Sequence, residues 1–268
     1  MKPSSYHLHT TFCDGKNTAE EMILAAIENV CAEIGFSDHS HLPGEEWTMS
    51  EEGTVEYFNT LTSLREKYKD KIRVYIGIEQ DFYSAPPTLP FDYIIGSVHS
   101  VLVGDIYYSV DESIEATERA ITEGFGGDAY AFCEAYYDNV AKLYEKTKCD
   151  IIGHFDLVTK FIEKAPLFSV EHPRYKAARD KALEALFATP ALFEINTGAI
   201  SRGYRTTPYP SNEIIEKIAE TGKPFVLNSD AHSVETVNFM LDDVAYDLDS
   251  KGYQYLTELS KIVQKGTQ

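Results

Sequence analysis

Short apolar runs of strand length recur along the chain, and most of them are separated by helical patterns. We predict seven strands, over residues 4–10, 31–36, 72–78, 93–98, 150–153, 191–196 and 224–228. Strands that alternate with helices are typical of a parallel sheet, because each helix carries the chain back to the start of the next strand.

The segments between the strands place apolar residues at helical spacing. Thr18 and Glu21 fit an N-cap with a capping box, and an apolar helix face follows as far as Val30. Further helices are predicted through residues 55–68 and 175–186, and a terminal helical region through about the last thirty residues.

A long excursion separates the fourth and fifth predicted strands. Helical patterns begin at about Asp111 and again at about Tyr130, and the second runs to Lys146. Glycines interrupt the two patterns in the stretch 124–127. We expect this excursion to form part of a lid or wall beside a site.

Polar side chains collect at the carboxyl ends of six of the seven predicted strands. A closed α/β barrel places its active site at this end, whereas an open sheet concentrates its ligands at one switch point. We therefore predict a TIM-like α/β barrel of seven strands, in a single domain over residues 1–268.

Composition indicates which classes of molecule this domain is expected to bind. The chain has 268 residues, 43% of them hydrophobic, and a formal net charge of −19. Nucleic-acid binding draws on Lys and Arg, so this charge favours a small substrate over DNA or RNA. No apolar run is long enough to span a membrane and the N-terminus has no signal-peptide pattern, so we expect a soluble, cytosolic protein without membrane contact.

The four cysteines show no C-x-x-C spacing. We interpret them as reduced thiols rather than as disulfides or a zinc ribbon. Cys13 lies between His9 and Asp14, where we expect a buried neighbour of the site rather than a ligand.

Histidines and acidic residues at the strand ends are the candidate metal ligands. His7 and His9 face the same way, because side chains alternate along a strand. Six of the eight histidines belong to a candidate ligand set that comprises His7, His9, Asp14, His39, Glu79, His99, His154, Asp230 and His232. Mixed imidazole and carboxylate ligands suit Zn²⁺, Mn²⁺ or Fe²⁺. Nine ligands exceed the needs of one ion, so two or three adjacent sites are expected, as in centres that clamp a phosphoryl group.

Four polar residues near this set were assigned more ordinary roles or left open. His41 follows His39 in a loop and His172 precedes a predicted helix start, so neither is expected to bind metal. Asp38 and Asp156 each flank a candidate ligand, and for them a supporting or general-acid role competes with ordinary capping.

The candidate ligands lie in an ordered set of motifs, which are Tyr6-His7-Leu8-His9-Thr10 with Asp14, Phe36-Ser37-Asp38-His39, Gly77-Ile78-Glu79, Gly96-Ser97-Val98-His99, Gly153-His154-Phe155-Asp156, Glu194-Ile195-Asn196-Thr197 and Ser229-Asp230-Ala231-His232. In this ordered set the sequence resembles the polymerase-and-histidinol-phosphatase (PHP) family of metal-dependent phosphoesterases. The resemblance implies a distorted (βα)₇ barrel that holds a trinuclear centre.

The resemblance also implies which residues share an ion. It assigns the first ion to His7, His9, Glu79 and Asp230, the second to Glu79, His99 and His154, and the third to Asp14, His39 and His232. Glu79 is then a bridge between two ions. The family often has His at the position of Asp14, so the third site is expected to be weaker or to select a different metal.

Within the family, the stretch from Glu194 to Gly198 and the later Tyr209-Pro210-Ser211 resemble stand-alone phosphatases that act on histidinol phosphate. This resemblance implies a phosphomonoesterase of histidine biosynthesis, with Glu79, Asp230 and His232 at the catalytic centre. Arg202 is the best match to a phosphate-binding arginine. Lys160 is a second candidate for substrate binding and Arg205 a weaker one.

The mechanism expected is attack of a metal-activated hydroxide on phosphorus, without a covalent enzyme intermediate. Tyr107, Tyr108 and acids of the excursion are candidates for holding a cationic leaving group. Two alternatives stay open: a phosphoesterase acting on another small ester or on nucleic acid, and a metal-storage or sensor protein. The chain has no G-x-S-x-G elbow and no Walker A loop.

Overall fold

A computed structural model describes residues 4–260 of the chain. Its main sheet has seven strands in the order β1-β2-β3-β6-β7-β8-β9, and every pairing between them is parallel. The strands are β1 Glu33–Phe36, β2 Arg73–Asp81, β3 Tyr93–Ser97, β6 Ile151–Ile152, β7 Leu192–Asn196, β8 Phe225–Asn228 and β9 Tyr255–Leu256. The sheet curls into a half-barrel, so the parallel α/β class that the sequence predicts is confirmed.

Helices cover the outside of this sheet and fill the connections. Their bounds are α1 Ala19–Glu28, α2 Glu51–Tyr68, α3 Ile114–Arg119, α4 Ala129–Ala141, α5 Leu143–Thr147, α6 Pro173–Phe187, α7 Gly198–Ser201, α8 Asn212–Ala219 and α9 Leu241–Lys251. Helix α1 begins as predicted, because the Thr18 side chain accepts from the Glu21 amide while Glu21 accepts from the Thr18 amide.

The first predicted strand differs from the expectation. Residues 4–10 make one isolated bridge, between Leu8 and Ala231, and do not extend it into a ladder. The backbone amide of Tyr6 instead binds the side chain of Asn228, 2.8 Å away, and the amide of Ser229 donates to the Ser5 hydroxyl. Side chains thus replace some of the ladder bonds that a regular strand would make.

This segment nevertheless lies between β1 and the chain that follows β8. The amides of Gly35 and Ser37 donate to the carbonyls of Ser5 and Leu8, and the amide of His9 donates to Ala231. The seventh strand of the sheet is β9, where only helix was expected. Closure of the curled sheet into a (βα)₇ barrel stays a prediction.

The long excursion begins with an antiparallel hairpin that the sequence analysis missed. Its strands are β4 Ser100–Val103 and β5 Ile106–Ser109. The helices α3, α4 and α5 then follow, with a π-turn over Ala120–Gly124 at the predicted glycine interruption. Within residues 4–260, the predicted terminal helical region contains α9 and then the short strand β9. Residues 261–268 of that prediction lie outside the described residues.

Tyr93 fills the inside of the curled sheet between two glycines. A methyl group at Gly77 would overlap the Tyr93 ring, and one at Gly35 would overlap its hydroxyl oxygen. That oxygen lies within hydrogen-bonding distance of the carbonyls of Tyr6 and Phe36. The buried ring therefore connects the N-terminal segment to β1, which positions His7 and His9.

Two features predicted from composition can be compared with the structure. Across residues 4–260, no helix combines the length and apolar character needed to cross a bilayer, while the cytosolic location stays a prediction. The cysteines form no disulfide in that range. Cys13 is partly buried beside the site, with its Sγ 3.0 Å from Asp38 and 3.5 Å from His9 Nδ1.

Candidate metal centre

Glu79 lies at the centre of the candidate ligands, where β2 passes into the cavity, and it is 1% exposed. One carboxylate oxygen, Oε2, lies 2.9 Å from His39 Nδ1, 3.2 Å from His7 Nε2 and 3.5 Å from His9 Nε2. A single buried oxygen therefore faces three imidazoles that come from two different segments of the chain.

The other Glu79 oxygen faces the opposite side of the cluster. Oε1 lies 2.9 Å from His154 Nε2 and 3.4 Å from His99 Nε2, and it accepts a hydrogen bond from Ser97. Glu79 thus contacts five histidines, as a carboxylate that bridges two ions would.

Asp14, Asp230 and His232 complete the cluster at its more exposed side. Asp14 Oδ2 lies 3.2 Å from His232 Nε2, and Asp14 Oδ1 lies 3.7 Å from His39 Nε2. Asp230 Oδ1 lies 3.3 Å from His9 Nε2. All nine candidate ligands of the sequence analysis therefore converge in space, although they come from positions 7 to 232.

The local backbone explains how Asp230 reaches the cluster. Asp230 adopts a left-handed conformation with φ of +48°, which Asp tolerates better than most residues. The Cβ of any residue at position 198 would lie 2.7 Å from Asp230 Oδ2, so Gly198 permits the close approach of helix α7 to this carboxylate.

The donor atoms themselves fit divalent metal ions. His7 Nε2, His9 Nε2 and Glu79 Oε2 are buried, and none of them has a hydrogen-bond partner in the part of the chain that the structure describes. Tetrahedral Zn²⁺ with ligands at about 2.0–2.2 Å separates neighbouring ligand atoms by roughly 3.3–3.6 Å, close to the contacts above. Four overlapping groups have their donor atoms within 4.8 Å of one another: His9, Asp14, His39 and His232; His7, His9 and Asp230; His7, Glu79 and His154; His39, Glu79 and His99.

Neighbouring charges lower the pKa values of two buried candidate ligands, Glu79 and Asp230. Burial alone raises the pKa of Glu79, but His7, His39 and His99 together hold that pKa well below its usual value. Burial also raises the pKa of Asp230, and Arg202 and His7 outweigh it so that the pKa lies well below normal. Both side chains are therefore carboxylates at neutral pH.

The surroundings shift the pKa values of His9 and His7 in opposite directions. Burial, with His232 and His39 nearby, lowers the pKa of His9 to about 3, so its ring is neutral and able to bind a cation. Burial opposes a charge on His7 as well, but Glu194, Glu79 and Asp230 raise the pKa of His7 well above its usual value. A divalent cation would replace this proton as the partner of the surrounding carboxylates.

Comparison with known proteins shows the family. The sequence profile of the PHP domain matches residues 5–198. The chain belongs to the PHP family. It is 27% identical over 270 residues to the "Probable histidinol-phosphatase" of Deinococcus radiodurans, with 94% of each protein covered.

Two solved structures have a similar fold. The "putative histidinol phosphatase hisK" from Listeria monocytogenes has a TM-score of 0.74 and 22% sequence identity, over 90% of this chain and 99% of that one. The histidinol phosphate phosphatase from Lactococcus lactis, complexed with Zn, L-histidinol and phosphate, has a TM-score of 0.68 and 21% identity, over 95% of each chain.

In this PHP chain seven of the nine candidate ligands line a cavity of about 670 Å³, and His7 and His9 lie buried behind them. Two of the three predicted substrate-binding cations lie in its lining. Arg202 Nη2 lies 2.9 Å from Asp230 Oδ2, and Lys160 Nζ lies 3.0 Å from Asp111 Oδ2. A phosphate placed over the ligands would therefore meet positive charge from the cavity side.

Arg205, the third predicted cation, has a different setting. It is 6% exposed and does not belong to the cavity lining. Its guanidinium lies over the Tyr209 ring, donates to Thr159 and faces Asp156 at 3.7 Å. These contacts make Arg205 a buried link behind the cavity wall.

The structure also shows the surroundings of the other residues that the sequence analysis considered. Tyr107 lines the cavity, whereas Tyr108 packs into the core behind the hairpin. His41 binds the Met49 carbonyl, and His172 caps α6 and stacks on Tyr130. Asp38 accepts from the Thr10 amide and hydroxyl, so it supports the turn that carries His9 and Asp14. Asp156 accepts from the Ser211 amide, which ties the loop after His154 to the start of α8.

Trp47 is a cavity residue to which the sequence analysis gave no role. Its ring centroid lies 4.7 Å from that of His39 and 5.3 Å from that of His99, and its indole N–H donates to Glu45. Glu194 was quoted within a motif but received no role, although a buried carboxylate inside an apolar strand was the signal that could have identified it.

Proposed function

We propose that this chain is a metal-dependent phosphomonoesterase that hydrolyses L-histidinol phosphate to L-histidinol and inorganic phosphate. The observation that carries the proposal is the convergence of nine candidate metal-ligand side chains, seven of which line a cavity whose wall presents Arg202 and Lys160. The proposal includes a single domain over residues 1–268, with the curled sheet closed as a (βα)₇ barrel.

The proposed centre holds three divalent ions. His7, His9, Glu79 and Asp230 would bind the first, Glu79, His99 and His154 the second, and Asp14, His39 and His232 the third. Such ions lower the pKa of water and neutralise charge on a phosphoryl group. Zn²⁺, Mn²⁺ and Fe²⁺ all suit this donor set.

The protein side chains then orient the substrate. Arg202 presents a planar guanidinium that can bind two phosphate oxygens, while Lys160 supplies a single positive charge. Asp230 holds Arg202 in place through its carboxylate and its backbone carbonyl. In the proposed catalytic centre the metal ions are bound by residues that include Glu79, Asp230 and His232. The two cations would bind the phosphate from the solvent side.

The choice of substrate rests on the relatives and on the chemistry of the wall. The similar structure from Lactococcus lactis is complexed with Zn, L-histidinol and phosphate. In this chain the cavity wall beyond the cations carries Glu45, Glu46, Glu112 and the aromatic ring of Trp47. Acids and an aromatic face favour an organic group that carries positive charge, as histidinol does.

The test is phosphate release from L-histidinol phosphate by the purified protein, with p-nitrophenyl phosphate and glycerol phosphate in parallel and metal content measured on the same sample. We expect preference for histidinol phosphate, and loss of activity on chelation and in Glu79→Ala. His172→Asn is the matched control, because His172 lies outside the cluster and Asn preserves its helix cap.

Two results would count against the proposal. A metal-loaded protein that ignores histidinol phosphate but cleaves another ester would overturn the substrate and leave the metal centre. A metal-loaded protein that hydrolyses none of the esters would favour a metal-storage or sensor role.

A further inference from the structure

Glu194 lies behind the ligand cluster, in β7, and is 1% exposed. Its carboxylate binds four groups and none of them is a lysine or arginine. The distances are 2.9 Å to His7 Nδ1, 2.6 Å to the His154 amide, 2.9 Å to Asn196 Nδ2 and 2.7 Å to Asn228 Nδ2. This buried carboxylate thus contacts two of the proposed metal ligands from outside the centre.

The contact with His7 decides which ring nitrogen faces the metals. A carboxylate accepts hydrogen bonds only, so the proton of a neutral His7 ring lies on Nδ1 and is donated to Glu194. The lone pair then lies on Nε2, which is 3.2 Å from Glu79 Oε2 and has no hydrogen-bond partner within residues 4–260. We propose that Glu194 is a positioning residue, which fixes the orientation and tautomer of His7 for metal binding.

A second contact extends this role to the backbone. Asn228 donates to Glu194 through Nδ2 and accepts from the Tyr6 amide through Oδ1, at 2.8 Å. The segment around His7 lacks a regular ladder, so this side-chain bridge helps to set its position. Glu194 therefore holds His7 both by its ring and through the neighbouring backbone.

The same arrangement recurs on the other side of the centre, which supplies a matched comparison. Asp81 Oδ2 lies 3.0 Å from His99 Nδ1, and His99 Nε2 faces Glu79 Oε1 at 3.4 Å. His154 differs, because its Nδ1 has no partner among the described residues. Outer carboxylates of this kind orient metal-binding imidazoles, and their loss typically weakens metal affinity about 10- to 100-fold.

The inference rests on the metal centre of the proposed function, and its test reads metal binding rather than turnover. Chelated wild type, Glu194→Gln and Asp81→Asn are titrated with Zn²⁺ by calorimetry, and bound metal is counted by mass spectrometry. We expect Glu194→Gln to weaken one ion about 10- to 100-fold and Asp81→Asn to weaken a different one. Full Zn²⁺ content with unchanged affinity in Glu194→Gln would overturn the proposal.

A second measurement needs no Glu194 variant and covers the case in which that variant does not fold. Long-range ¹H–¹⁵N spectra of the Zn²⁺-loaded wild type report which ring nitrogen of each histidine is protonated, and the His7 signals are assigned by their loss in His7→Asn. We expect the His7 proton on Nδ1. A proton on Nε2, or none on Nδ1, would contradict the proposed role.

The outcomes separate this inference from the proposed function. Zn²⁺ binding with the expected His7 tautomer, but without hydrolysis of any ester, would remove the phosphatase proposal and leave the role of Glu194. A wild type that binds no Zn²⁺ would remove both. A merely structural Glu194 would lower the melting temperature of the variant without changing its Zn²⁺ affinity, which also overturns the inference.

Discussion

Arg202 and Asp230 form a two-point contact at the wall of the cavity. Arg202 Nη2 donates to Oδ2 of Asp230 at 2.9 Å, and Nη1 donates to the backbone carbonyl of the same residue at 2.8 Å. Asp230 is also a proposed metal ligand, and its Oδ1 lies 3.3 Å from His9 Nε2. The contact therefore couples the proposed phosphate-binding cation to the proposed metal centre.

From this contact we predict that Arg202→Met lowers kcat/KM for a phosphate ester about 10- to 100-fold, because a charge-assisted hydrogen bond of roughly 1.5–3 kcal/mol is lost. Arg202→Lys should recover part of the loss, since it keeps the charge without the planar fork. Steady-state kinetics on both variants check this. Arg174→Met is the control, because Arg174 is an exposed residue that binds Asp128 and Glu134; an equal loss there would contradict the prediction.

We predict that metal binding stabilises the folded protein as well as supporting its activity. Ions that bind only the folded state at about 100 times their dissociation constant contribute roughly 2.7 kcal/mol. For a chain of this size that corresponds to a rise in Tm of about 5 °C or more. Calorimetry of chelated protein with and without Zn²⁺ measures the rise.

The rise should depend on Glu79, since this carboxylate faces five imidazoles. In Glu79→Gln we expect most of the Zn²⁺-dependent shift in Tm to disappear. Glu134→Gln, at an exposed position, should keep it. A full shift in Glu79→Gln would show that the ions bind elsewhere.

Trp47 offers an optical test of where the organic part of the substrate lies. It is the single tryptophan of the chain, and its ring lines the cavity beside His39 and His99. We predict that saturating L-histidinol lowers the quenching of Trp47 fluorescence by acrylamide, because the ligand covers the ring. Inorganic phosphate, which is expected beside Arg202, should protect it less.

The control for this experiment is Trp47→Phe, which should lack the emission altogether. Equal acrylamide quenching with and without saturating L-histidinol would place the organic group on another wall of the cavity.

The packing of Tyr93 against Gly77 predicts a cost in stability. A methyl group at Gly77 would overlap the buried Tyr93 ring, so Gly77→Ala should lower the free energy of unfolding by about 1–3 kcal/mol or more. Gly104→Ala is the comparison, since its added methyl meets no atom within 4 Å and only its positive φ costs about 1 kcal/mol. Urea unfolding of both variants measures the two losses of unfolding free energy. A loss in Gly77→Ala that is equal to or smaller than the loss in Gly104→Ala would refute the packing argument.

Much of the site was predictable because metal ligands follow apolar strands in the sequence. Glu79 and His99 each come at the end of a buried run, and parallel strands bring their carboxyl ends together. The same logic gave the parallel α/β class. It did not anticipate the β4–β5 hairpin, because beyond His99 only the helical patterns from about Asp111 onward indicate structure. Arg205 was a candidate by resemblance, and its charge alone does not show that the folded chain buries it behind the cavity wall. Its part in substrate binding stays a prediction.

The sequence by itself determined the chemistry of the centre, because residue type and position after a strand fix which donors are available and at which end of the sheet. Only the tertiary structure decided how those donors are held. The bond from Glu194 to His7 spans 187 positions and the one from Asn228 to Tyr6 spans 222. Such contacts depend on how distant segments meet in the folded chain, and no local periodicity records that.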